Sequence, residues 1–412
     1  MDPDRTRALD RRLVRAARPV RVLSTLSWKE GVIEAFLAGW RAGDPRVPVI
    51  EHEPPDLSDA RSALASVQDD ADPDDPMQAF VARTAQSYET AAHMLEALGT
   101  DHFTEHSRAL FGSPNDPLPG GGRSHLELAS SLLANTRDLA AAGLVDEADL
   151  CLTAEEVRER LLGSFAEFFG DRAPRVEVDP ELASKATAGS RRVRLRGRTC
   201  FSEIDVDQLR EHEGFVHAAT KLNGRAQPVL SCLGLSSPRT TLTQEGLATF
   251  AEVVTGSLDI GRLRRIALRI VAIQAALEGA DFIELFRLFV EAGQSEGESA
   301  RSAMRICRGG CTGGGVAFTK DVVYLCGLVA VHTFARKAIV EAKPALVRRL
   351  FAGRLSLADV SRLSPAFEEG HLDEGGFVAP WAKDFDRLGA HLAFSAAINQ
   401  VDLDAFSLDA LT

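Results

Sequence analysis

Apolar positions recur three and four residues apart along most of this chain. Over 28–40, Val32, Ile33, Phe36, Leu37 and Trp40 form one such face, which predicts an amphipathic helix. The same spacing predicts helices over 78–98, 125–143, 154–169, 205–221, 241–256, 260–278, 281–292 and 320–341, with short helices to the end. Two short pieces break this rhythm, 175–178 and 191–196. In the second, Val193 and Leu195 alternate with arginines, the period-two signature of a half-exposed strand. The fold class is therefore α+β, mainly α-helical. Glycines and prolines crowd 112–123, which predicts a flexible connection between an N-terminal helical region over 1–122 and a second domain over 123–412.

Composition narrows the class. The chain has 412 residues, 45% of them hydrophobic, enough for a large core. Its net charge of −12 argues against a nucleic-acid partner and against docking on an anionic membrane. The N-terminus lacks the apolar stretch of a signal peptide. The most apolar run, 322–335, is bounded by Lys320-Asp321 and Arg336-Lys337; it is too short to span a bilayer and suits a core helix. The acidic stretch 69–75 reads as a solvated loop. The six cysteines form no CxxC pair and no regular framework, which predicts a reduced, cytoplasmic protein. Cys307 and Cys311 read as two ordinary thiols in a loop.

The chemistry concentrates in His212-Glu213-Gly214-Phe215-Val216-His217. Two histidines can hold a Zn²⁺, and a carboxylate between them can take a proton from water on the metal. The histidines are five residues apart, which in a regular helix leaves them about 140° out of register. A π-turn, closing i to i+5, would bring both rings to one ion. A local π-bulge is therefore expected here, eased by Gly214.

A third ligand is available in Thr243-Gln244-Glu245-Gly246-Leu247-Ala248. Thr241 and Gln244 make a plausible capping box, and Glu245 then lies early on a second helix. Three ligands leave a position for water. Glu252 shares the face of Glu245 and reads as its support or as the alternative ligand. A rival pattern, His102-Phe103-Thr104-Glu105-His106, has better helical register but no partner carboxylate of the same kind, and is read as a decoy.

Four segments together carry a resemblance: 212–220, Leu222-Asn223-Gly224-Arg225-Ala226-Gln227-Pro228, 243–248 and 318–324. They resemble the bacterial flavohemoglobin expression-modulating QEGLA-motif proteins. The wider family is similar to the eukaryotic tubulin tyrosine carboxypeptidases, zinc metallopeptidases with an HExxxH arrangement that remove a C-terminal tyrosine. The similarity runs from about 20 to about 400, and 182–335 carries most of its specificity. It implies a zincin-like catalytic core, Zn²⁺ as cofactor, His212, His217 and Glu245 as ligands and Glu213 as general base. A peptide or protein C-terminus is the implied substrate.

A peptidase also needs an oxyanion donor and a cation for the substrate carboxylate. Tyr324, one of two tyrosines, is the candidate for oxyanion donor or substrate contact. Arg305, Arg308 and Lys320 flank the glycine loop 309–315 and are candidate carboxylate partners; Arg225 is the alternative, and Asn223 joins them as a substrate contact from the family-like segment. The strand 192–196 is expected to offer an edge for an extended peptide. Two alternatives remain open at this point: a regulatory protein with a structural zinc site, and a zinc amidase acting on a small amide.

Overall fold

The computed structural model describes residues 1–141, 151–180, 182, 185–189 and 191–398; the expected end of the 125–143 helix and the expected helices beyond 398 lie outside them. Helices dominate. Ala154–Phe169, Thr241–Thr255, Ile260–Leu277 and Phe282–Glu291 follow the apolar periodicity closely. The first of these opens on a capping box between Thr153 and Glu156, which satisfies backbone donors that the first turn leaves free. A further helix, Glu296–Cys307, was not predicted. Its buried face begins with small residues, Ser299, Ala300, Ser302 and Ala303, and carries larger apolar ones only at its end, Met304 and Ile306.

The sheet has three strands, β1 (Arg175–Asp179), β2 (Ala186–Ala188) and β3 (Arg192–Arg196), in the order β1-β3-β2. β3 runs parallel to β1 and antiparallel to β2. Val193 and Leu195 are fully buried, as their alternation predicts. The expected peptide edge is not on β3, because β3 is the central strand. Its arginines are also engaged: Arg192 pairs with Glu177, Arg194 with Asp179, and Arg196 with Glu298. Among the described strands the outer edges belong to β1 and β2.

Two hydrophobic clusters fill the interior, and each takes residues from both sides of residue 122. The glycine- and proline-rich stretch between them is tied down by a bridge from Pro117 to Ser124 and by Asp116, which accepts from Ser113 N at 2.7 Å. The most apolar run extends into a helical stretch, Thr319–Val340, long and apolar enough to cross a membrane by length and composition. Here it packs along Thr241–Thr255 and buries Val323, Leu325, Val331 and Ala335.

The cysteines depart from expectation at one pair. Cys151 and Cys200 form a disulfide, beside a bridge between Leu152 and Phe201. The spacing of 49 residues carries no local signal, because the pair meets only through the tertiary fold. Cys307 ends a helix and is buried; Cys311 is exposed in the loop after it.

Candidate metal centre

The expected π-turn is present. Arg210–Ala218 is π-helical, continuous with Glu203–Leu209 before it and Ala219–Arg225 after it. Gly214 does more than ease the backbone. A Cβ at Gly214 would lie 2.2 Å from Phe165 Cε1, so the missing side chain lets Phe165 pack onto the turn. The His212 and His217 rings stand 4.8 Å apart between centroids, nearly perpendicular. Their Nε2 atoms are each 3.5 Å from Glu245 Oε2. The candidate ligand atoms of these three residues lie within 4.8 Å of one another, and among the described residues they form the one cluster able to hold a metal ion.

Glu245 lies on Thr241–Thr255. The capping box expected at its start is absent: Thr240 is the N-cap and makes no side-chain cap. Gln244 is buried instead and accepts from Thr220 Oγ1 at 2.8 Å, which ties this helix to the one carrying the histidines. Gly246 faces Gly327 on the neighbouring helix, where a Cβ would lie 2.3 Å from the Gly327 carbonyl carbon. That close approach brings Lys320 to Glu245, with Nζ 3.3 Å from Oε1. One oxygen of Glu245 thus faces the histidines and the other faces a lysine.

Glu252 sits behind His212 rather than among the candidate ligands. The His212 Nδ1–H donates to Glu252 Oε1 at 2.6 Å, which leaves Nε2 aimed at Glu245. Glu252 also receives Arg262 through two nitrogens, at 3.1 and 3.0 Å, and Gln208 at 2.9 Å. Burial alone would raise the Glu252 carboxyl, yet Arg262 and His212 outweigh it and hold it at about 2. Burial would lower the His212 imidazole, yet Glu245 and Glu252 push it up to about 10. The pocket between the rings is thus built to hold positive charge. His217 has no such support: its Nδ1 is buried without a partner.

These residues open onto a cavity of about 480 Å³. His212, Glu213, His217, Glu245, Arg305, Arg308, Lys320 and Tyr324 all line it. Three carboxylates line it. Asp321 is clamped by Arg305 at 2.7 and 2.6 Å, and Glu245 pairs with Lys320. No hydrogen bond or ion pair among the described residues holds Glu213. Lys320 Nζ also stands 5.3 Å from the Tyr324 ring centre.

Two expected substrate contacts lie elsewhere. Asn223 is buried and structural: its amide donates to Phe351 O and Phe377 O and accepts from Phe377 N. Arg225, two residues on, is exposed and does not line the cavity. The rival motif stays on the surface, with His102 paired to Glu105 and His106 stacked on His93.

Sequence reasoning missed other wall residues. Tyr88 and Phe111 come from N-terminal helices, Val20 to Ser24 form part of the rim, and Arg354 arrives from a loop. None sits in a motif. The one available signal is scarcity, because both tyrosines of the chain line this cavity.

No curated protein matches the chain. Residues 34–400 match the profile of the microtubule-associated tyrosine carboxypeptidases, and the chain belongs to that family.

Proposed function

We propose that this protein is a zinc-dependent carboxypeptidase with a zincin-like core, of the QEGLA-motif kind, acting on a peptide or protein C-terminus. Membership of a family named for tyrosine carboxypeptidases supports the reaction class. The observation that carries the mechanism is Glu213, among the described residues the one carboxylate of the cavity wall without a hydrogen bond or ion pair, next to a cluster of two histidines and a glutamate.

The donor set fits Zn²⁺. Ligands about 2.0–2.2 Å from a tetrahedral ion stand about 3.3–3.6 Å apart, and both histidine Nε2 atoms are 3.5 Å from Glu245 Oε2. Three protein ligands leave room for water, as catalytic zinc sites require, whereas a structural site closes with four. When bound, the metal supplies an acidified water and polarises the scissile carbonyl.

The chain's own residues supply the rest. Glu213 takes the proton from the attacking water and returns it to the leaving amine. Glu252 and Arg262 fix the orientation of His212, and Lys320 fixes Glu245. The substrate lies along β2, an outer strand of the described sheet whose residues Ala186–Ala188 line the cavity, by strand addition. Arg308 receives the terminal carboxylate. It lines the cavity, and among the described residues no carboxylate forms an ion pair with it and its buried Nε has no hydrogen-bond partner. Tyr324 contacts the substrate on the same side.

The test is elemental analysis of wild type and Glu245→Ala beside incubation with a peptide library read by mass spectrometry. The reading predicts near-stoichiometric zinc and terminal trimming in wild type, both lost in the variant. A wild type that binds zinc in full but trims nothing would sink the peptidase assignment.

A further inference from the structure

Two arginine–tyrosine pairs line the cavity, and the proposed mechanism uses only one. Arg308 lies within electrostatic reach of Tyr324, and Arg354 within reach of Tyr88. Among the described residues, both arginines have a buried Nε without a hydrogen bond, and neither forms an ion pair with a carboxylate. A guanidinium held this way in a half-buried wall lacks the anion that would offset its desolvation.

The pairs differ in what surrounds them. Burial lowers Arg308 to about 10, and its charged neighbours are Arg305 and Asp321, with Tyr324 beside them. Burial also lowers Arg354, but here the opposing charges are those of Glu245 and Glu213, with Tyr88. Arg354 is therefore the unpaired cation on the side of the general base. Its position is rigid. Its backbone N–H donates to Leu233 O at 2.8 Å, and Nη1 donates to Ser236 Oγ at 2.9 Å. Gly353 before it packs against Gly224, on the helix that continues from His217. Tyr88 is held in a buried helix, and its hydroxyl has no partner among the described residues. Burial holds that phenol well above its ordinary range, so it stays a neutral donor.

We propose that Tyr88 and Arg354 together form the oxyanion site, donating hydrogen bonds to the carbonyl oxygen as it gains charge, while Arg308 reads the terminal carboxylate. This rests on the peptidase reading above. No bond is made or broken by either side chain, and no proton leaves them. Their donors are preorganised by packing, so they favour the developing charge over the neutral carbonyl. The N-terminal helical region then supplies a catalytic residue rather than only a cover.

The test uses the zinc-loaded full chain with Tyr88→Phe, Arg354→Gln, Arg354→Lys and Arg308→Gln. Each is assayed on synthetic peptides carrying either a free C-terminal carboxylate or a C-terminal amide. A phosphinic pseudopeptide, whose tetrahedral anion copies the oxyanion, is titrated by calorimetry. Melting temperature and zinc content check folding. Tyr88→Phe and Arg354→Gln are expected to lower kcat by about 10²-fold and to weaken phosphinic binding by a similar factor. They leave KM and the preference for acid over amide unchanged, and Arg354→Lys recovers part of kcat. Arg308→Gln shows the converse, a raised KM and a lost preference for the acid. Unchanged kcat in the first two variants, or loss of the acid preference in Arg354→Gln, overturns the assignment while leaving the peptidase reading intact. A wild type that neither cleaves peptides nor binds the phosphinic probe removes both together.

Discussion

Gly246 meets Gly327 backbone to backbone: a side chain on either would strike the other helix, at 2.3 Å for a Cβ on Gly246. This contact sets the spacing between Thr241–Thr255, which carries Glu245, and the segment that carries Lys320 and Tyr324. Gly246→Ala is expected to cost about 1–3 kcal/mol or more, because the obstacle is backbone and cannot turn aside. The same change displaces Lys320 from Glu245, so zinc affinity falls with stability. Chemical denaturation and a zinc competition titration on the same variant check both effects. A variant with unaltered stability would contradict the packing argument.

Glu252 is buried, binds no metal in this account, and orients His212. Glu252→Gln keeps the shape but removes the charge, and zinc affinity is expected to fall by about 10–100-fold. The change also alters acid stability. The folded-state pKa of Glu252 is depressed from the ordinary 4.5 to about 2. Its stabilisation is therefore complete above about 4.5 and is lost as pH falls from there through about 2. Denaturation midpoints measured across that window should fall less steeply in Glu252→Gln than in wild type. Parallel acid limbs would contradict the prediction.

The disulfide between Cys151 and Cys200 closes a loop across a separation of 49 residues. Replacing both by serine is expected to reduce stability by about 2–4 kcal/mol. Denaturation curves of wild type should shift onto that of the double variant when reductant is added, and stay apart from it without reductant. Free-thiol titration of the unreduced protein is expected to find four cysteines, the number left unpaired in the structure; six would contradict the pairing.

Much of the helical scaffold was legible because amphipathic helices announce themselves by periodicity, as at Ala154–Phe169 and Ile260–Leu277. The π-turn was legible for a geometric reason: two histidines five apart reach one point only if the helix widens. What escaped depends on contacts distant in sequence. Glu296–Cys307 hid because its buried face opens on small residues, Ser299 to Ala303, and holds large apolar ones only at Met304 and Ile306. Asn223 looked like a substrate contact because its partners, the backbone of Phe351 and Phe377, lie far along the chain. The arginines of β3 look free in sequence and are paired across the sheet or to Glu298. Tyr88 and Arg354 reach the cavity from separate elements that no local pattern connects.

The most direct measurement compares wild type with Glu213→Gln, the smallest change to the unpaired carboxylate. Zinc is quantified by elemental analysis, and cleavage by mass spectrometry of a C-terminal peptide library. The account predicts equal zinc in the two proteins and a fall in kcat of about 10²–10⁴-fold in the variant. A variant that binds zinc normally and trims peptides at the wild-type rate would contradict the central claim that Glu213 is the general base.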